Sequence, residues 1–324
     1  MPIARRRALA WLAMAGGWAM ATRGARAEPR ETRIVLGTAT PGGGFPLYGD
    51  AFIATIRDAD PALTVTPRNT KGSTENVPLL EAGQLDIALV QGEVAHEALS
   101  GIGRAPAVLK IIAAMYSTPG MFVVRADSAY RGIGDLRGKA VAFGARGSGL
   151  VILARYVLDG IGLDQEKDFT AVYLDRAGDG PAMVMDGRVA ALWGGGIGWP
   201  GFTSVAQGPA GARFIAPSAE ESARIRARHA FLKPMTIPAG SYPGQDAAIA
   251  SVGSWSFVLA RPTLDDDTAY RLARALHQGE ESFARRLPQA RESTAANTVA
   301  AAPDPKLIHP GVRRYLHEIG LSPS

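Results

Sequence analysis

Two stretches of this chain repeat one order of parts: a short helix ending on glycine, a brief turn, an apolar run, and glycine again. They read EAGQLDIALVQG at 81–92 and MDGRVAALWGG at 185–195. Residues 87–90 and 190–193 are each apolar without alternation, the pattern of a strand covered on both faces, as in a parallel sheet. The openings match too. A strand at 33–36 enters a glycine-rich loop and then a helix, and 140–143 does the same. The spacing from Gly37 to Gly83 is 46 positions, and from Gly144 to Gly187 it is 43. A chain that states this grammar twice predicts two α/β lobes. Their glycine-rich strand ends face a shared cleft, where open α/β sheets bind ligands.

In the first lobe a helix is expected over about 47–57, a strand at 63–66 and a second helix after Lys71-Gly72. Ser73 stands where an N-cap would, Glu75 suits the positive end of the helix, and Gly83 fits its left-handed end. Residues 110–116 and 121–124 read as two strands split by Thr118-Pro119-Gly120. In the second lobe the loop 144–149 leads to a helix at 150–158, a strand at 169–174 and a helix at 179–186. Further on, 218–230 reads as a solvated helix, 233–244 as irregular, 255–259 as a strand and 265–287 as one amphipathic helix. A chain that leaves the first lobe near Val124 and returns near Val252 gives lobe segments 28–124 and 125–250. Residues 251–324 then rejoin the first lobe and add C-terminal helices.

Residues 1–27 hold Arg5, Arg6 and Arg7, an uncharged stretch at 8–21, and Ala25-Arg26-Ala27, a small-x-small cleavage pattern. The apolar stretch is shorter than the roughly 20 residues a membrane helix needs. An export signal cleaved after Ala27, by the general secretory or the twin-arginine route, is expected, hence a periplasmic protein. The five arginines of this segment account for the whole formal charge of +5; the remaining 30 basic and 30 acidic residues cancel. A nucleic-acid partner therefore loses its electrostatic basis. The absence of cysteine excludes disulfides, thiolate catalysis and cysteine metal sites.

The cleft candidates follow from loop chemistry. Thr40, Gly42 and Gly43 belong to a loop whose backbone N–H groups can approach an anion closely. Ser148 and Gly149 open a helix and add its positive end. Lys71 and Arg146 offer charge, Arg146 with a bidentate grip on a carboxylate. Ser73 combines a cap with a cleft position, and Gln91 ends a buried strand, where an amide must find partners. Phe45 and Trp193, with Gly194 beside it, supply the apolar walls of a small-molecule site.

These residues resemble the solute receptors of TRAP transporters, TAXI subgroup. The likeness is carried by Gly72-Ser73-Thr74-Glu75-Asn76, Glu81-Ala82-Gly83, Asp86-Ile87-Ala88-Leu89-Val90-Gln91 and Gly144-Ala145-Arg146-Gly147-Ser148-Gly149. It continues at Ile237-Pro238-Ala239-Gly240-Ser241-Tyr242-Pro243-Gly244-Gln245 and His309-Pro310-Gly311, in order over about 33–320. The resemblance implies a two-lobed α/β fold of the periplasmic-binding-protein type II class, with the ligand between lobes. It implies a small organic acid of the glutamate or 2-oxoglutarate class and a TRAP membrane permease as partner. A monomer is expected, with no cofactor, metal or enzymatic activity. Two departures stand out. Phe45 is followed by Pro46 where the family carries two adjacent aromatics, and Trp193-Gly194-Gly195-Gly196 replaces small polar residues.

Catalytic patterns fail by inspection. His96, His229, His277, His309 and His317 are scattered, and neither His96-Glu97 nor His317-Glu318 extends to a zinc motif. Gly144, Gly147 and Gly149 lack the dinucleotide order, and Arg146 stands where a nucleophile elbow needs glycine. His309 beside Pro310 reads as a structural turn. Two other readings stay open: an exported enzyme on the same two-lobed fold, and a ligand-sensing subunit that docks a membrane kinase.

Overall fold

The computed structural model describes residues 31–322; the expected leader lies outside them. The first lobe opens with β1 (Thr32–Gly37), α1 (Gly44–Ala59), β2 (Leu63–Arg68), α2 (Ser73–Glu81), β3 (Ile87–Val90) and α3 (Gly92–Ser100). A long strand, β4 (Lys110–Arg125), crosses into the second lobe. There follow β5 (Ala140–Ala145), α4 (Gly149–Gly160), β6 (Thr170–Leu174), α5 (Gly180–Met185), β7 (Ala191–Gly195), α6 (Pro200–Ala206), β8 (Ala212–Ile215), α7 (Ala219–Arg228) and β9 (Lys233–Ile237). A second long strand, β10 (Ile249–Ala260), returns to the first lobe. There α8 (Asp266–Gln278), α9 (Glu280–Arg286), α10 (Ala295–Ala301) and α11 (Pro310–Glu318) complete the chain. No helix among the described residues is long and apolar enough to cross a membrane.

The sheet order is β2-β1-β3-β10-β4-β7-β5-β6, with β8 on β4 and β9 on β10. Within it, β1 pairs in parallel with β2 and β3, and β5 with β6 and β7. This is the arrangement that unbroken apolar runs demand, because helices cover both faces. Strands β4 and β10 run antiparallel to each other, β10 antiparallel to β3 and β4 antiparallel to β7. β4 pairs with β10 as far as Pro119 and with β7 from Gly120 onward, so one strand serves both lobes.

Each lobe buries a core on either face of its sheet. In the first, Leu36, Phe52 and Phe283 pack on one side, and Leu80, Val90 and Leu259 on the other. In the second, Phe143, Leu153 and Trp193 oppose Val123, Leu192 and Phe202.

Four local expectations are corrected. Residues 110–124 form one strand, because Ser117, Thr118 and Pro119 keep their pairing with β10. The region at 233–244 begins with β9, where Pro234 is tolerated because only β10 flanks this strand in the sheet. The helix expected at 265–287 breaks at Gly279, whose position leaves no room for a side chain beside Thr55 of α1. Ser73 is not a cap: Gly72 holds the N-cap position, and the Ser73 hydroxyl accepts the N–H of Gln91 at 3.0 Å.

Candidate functional site

The first-lobe loops end in helices, and so do those of the second lobe, and their starts converge. Gly43, Gly72, Gln91 and Ser148 are the N-cap residues of α1, α2, α3 and α4. All four line one cavity between the lobes, together with Trp199, the N-cap of α6. Each helix start leaves backbone N–H groups without helical partners and carries a partial positive charge. Four helices of nine or more residues pointing their starts at one space make that space favourable for an anion.

Close backbone contact brings the lobes together. Gly72 has φ of 120°, a conformation open to glycine, and a Cβ there would fall 2.7 Å from the Gly147 carbonyl oxygen. In turn, Thr74 donates to that carbonyl through its N–H (3.2 Å) and its hydroxyl (3.1 Å). At the opposite rim Gly42 lies against Gly178, and the Thr40 hydroxyl accepts the N–H of Ala177 at 3.3 Å. The space left to water-sized groups is about 50 Å³. A single water needs roughly 10–15 Å³, so the cavity suits a small ligand.

The sequence candidates divide by position. Thr40, Gly43, Phe45, Lys71, Ser73, Gln91 and Ser148 line the cavity. Gly149 lies just behind it, where a Cβ would collide with Gln91. Gly42 forms the rim contact described above.

Three candidates serve other ends. Arg146 is exposed and its guanidinium lies 5.1 Å over the Tyr173 ring, outside the lining. Trp193 is fully buried against Phe122 at a centroid distance of 4.7 Å, and its indole N–H donates to Leu150 O at 2.8 Å. It belongs to the second lobe's core, packed with Phe143 and Leu153, and is not among the residues that line the cavity. Gly194 makes room for Trp199, whose ring atoms would sit 2.5 Å from a Cβ there. The aromatic wall expected at 193 is thus provided by Trp199.

Tyr116, Thr118 and Trp199 were not anticipated. Tyr116 and Thr118 sit where β4 passes between lobes, and the expected break at 118–120 disguised that passage as a turn. A polar residue beside a strand's carboxyl end was the available signal. Nothing local marked Trp199, which reaches the cavity with its ring over Gly194 and Gly201. Phe45 meets Tyr116 edge-on at 6.5 Å.

The electrostatics are simple. No carboxylate lines the cavity, and Lys71 is the charged side chain among the lining residues. Tyr116 is buried, and its phenol makes no hydrogen bond among the described residues. Burial, aided by the nearby Tyr48 and Glu292, pushes its pKa well above the ordinary value, so it stays a neutral donor. Behind Gln91 lies Glu93, fully buried, accepting from Gln91 Nε2 at 3.0 Å and from the Ser254 hydroxyl at 2.6 Å. Burial pushes its carboxyl up to about 7 against the pull of those donors, with the charge of Glu97 adding to the rise. No group of three or more potential ligands able to hold a metal occurs among the described residues.

Solved structures share this architecture. MatC from Rhodopseudomonas palustris, with bound malate, superposes with a TM-score of 0.59 at 12% identity, covering 88% of this chain and 98% of its own. A protein of Bordetella bronchiseptica RB50 gives 0.57 at 14% identity, covering 89% and 98%. A periplasmic transporter structure gives 0.53 at 14% identity, covering 83% and 89%. At these identities the likeness establishes the fold, a two-lobed α/β architecture of the periplasmic-binding kind. The sequence itself matches the NMT1-like family over residues 36–320, nearly the whole described chain, and the protein belongs to that family.

Proposed function

We propose that this protein is a periplasmic solute receptor that captures a small organic anion between its lobes. It then presents the anion to a TRAP-type permease, as a receptor of the TAXI subgroup. The observation that carries this reading is the convergence of four helix N-caps on one cavity whose lining holds no carboxylate. Backbone N–H groups, the Ser73, Thr118 and Ser148 hydroxyls, the Tyr116 phenol and Lys71 supply donors. Phe45, Leu150 and Trp199 supply apolar walls. Such a site stabilises negative charge without a dedicated arginine. Lobe closure about β4 and β10 withdraws the ligand from water, a hinge motion of periplasmic-binding proteins.

The lining contains no histidine, cysteine or carboxylate to serve as a general base, which favours capture over turnover. The malate bound to MatC, a relative in fold, agrees with an organic acid as cargo. The leader expected at 1–27 agrees with export.

Thermal melting of residues 28–324 against carboxylic acids, amino acids and neutral solutes tests the proposal. Binding to the native state raises the midpoint by mass action. Stabilisation confined to small carboxylates, surviving Arg146→Ala, is the expected result. Stabilisation by neutral solutes alone overturns the anion reading, and chemical consumption of a hit overturns the receptor reading.

A further inference from the structure

The Gln91 amide is held in one orientation from behind. Its Nε2 donates to Glu93 Oε2 at 3.0 Å, and Glu93 Oε1 is taken by the Ser254 hydroxyl at 2.6 Å. Glu93 is fully buried, forms no ion pair among the described residues, and sits in the first turn of α3, two positions after the Gln91 cap. Ser254 lies on β10, the strand shared by the lobes, and Gly92 brings that strand close by leaving no side chain in the way. On its other flank the Gln91 side chain lies against Gly149 at the start of α4, where any Cβ would displace it. The side chain is therefore confined between two lobes and tied by one bond.

An ionised carboxylate accepts hydrogen bonds and cannot donate them. It fixes which end of the amide it faces: nitrogen toward Glu93, carbonyl oxygen toward the remaining side. The orientation of an amide is set by such a network of partners. Elsewhere the lining is rich in donors, and the Ser73 hydroxyl, whose oxygen accepts from Gln91 N–H, has its own hydrogen to give. An acceptor placed among donors wants a ligand that has both an anionic end and a hydrogen to donate.

We infer that Glu93 is a positioning residue that turns the Gln91 carbonyl toward the ligand, so that the site selects anions bearing a hydroxyl or amino donor over keto or unsubstituted acids. The inference rests on the anion-receptor reading above and names the substrate class within it. A site with a fixed acceptor rejects the analogue that lacks the donor, because the buried carbonyl is left unpaired. In Glu93→Gln the new amide offers its own N–H to Gln91. The Gln91 amide then reverses and presents nitrogen to the ligand. Gln91→Met removes both ends of the amide while keeping the length of the side chain.

The test is calorimetric binding at pH 8.5, where Glu93 is ionised, with 2-hydroxyglutarate against 2-oxoglutarate and lactate against pyruvate. Wild type is expected to favour the hydroxy acid of each pair that binds by fivefold or more. Glu93→Gln is expected to shift that ratio at least tenfold toward the keto acid, and Gln91→Met to bring it near one. Equal binding of both members by wild type overturns the inference, as does an unchanged ratio in a Glu93→Gln protein that melts as a folded chain. Should Glu93→Gln not fold, a preference retained in Gln91→Met overturns it. Failure of every carboxylate to bind defeats the anion reading instead, so the two failures are distinct.

Discussion

Gly147 lies so close to Lys71 that a Cβ on it would stand 2.5 Å from the Lys71 carbonyl oxygen. The two residues belong to different lobes, and the contact is backbone to backbone, which a side chain cannot evade by changing rotamer. The lobes therefore meet as they do because position 147 has no side chain.

Gly147→Ala is expected to hold the lobes apart. Ligand affinity should fall tenfold or more, about 1.4 kcal/mol, with the melting temperature of the unliganded protein nearly unchanged. Calorimetry with the best ligand from the melting panel measures the first and a thermal scan the second. An affinity equal to wild type would show that closure does not depend on this contact.

Tyr116→Phe removes a buried hydroxyl that no described residue uses. A donor reserved for an anion contributes about 1.5–3 kcal/mol when paired. Ligand affinity is expected to drop roughly 10- to 100-fold by that figure, with little change in unliganded stability. A drop in stability with affinity intact would place the phenol among structural groups.

Trp193 and Trp199 make opposite predictions despite lying six positions apart. Trp193→Phe takes volume and the bond to Leu150 O out of the core, and should cost about 2–4 kcal/mol of stability with affinity preserved. Trp199→Phe should weaken ligand binding more than it lowers stability, since its ring lines the cavity. Paired denaturation and binding measurements on both variants decide the assignment.

Glu93 gives stability a pH dependence. Burial raises its pKa from 4.5 to about 7, so the folded chain holds a proton that the unfolded chain releases between those values. Stability contributed by this group is present below about 4.5 and is lost as pH rises toward 7, a change of about 3 kcal/mol. The charge of Glu97 adds to the rise at Glu93. Glu93→Gln should therefore melt about 5 °C or more above wild type at pH 8.5, the gap narrowing toward pH 5. A constant gap across this range would contradict the burial of an ionisable group at this position.

Local sequence was enough for the parallel strands and for several helix starts, those of α4, α7 and α8 among them. Four apolar residues in a row at 87–90, between a glycine turn and Gly92, fit a strand covered on both faces, and β3 is buried at every position. Ser148 caps α4 as its position implied, with its hydroxyl accepting Leu150 N–H at 3.2 Å. The restarted grammar at 140–149 foretold a second lobe, because the same hydrophobic periodicity requires the same covering layers. These features depend on neighbours within a few residues, which a sequence displays.

Tertiary structure decided what faces the cleft. Trp193 packs into the core with Phe122 and Phe143, while Trp199 reaches the cavity over glycines at 194 and 201 that leave space for its ring. Arg146 went to the Tyr173 face, outside the cavity lining. Glu93 acquired its part only because β10 returns from the second lobe and sets Ser254 beside α3. Side-chain direction at a strand end depends on which distant segment occupies the facing volume, and no local pattern carries that information.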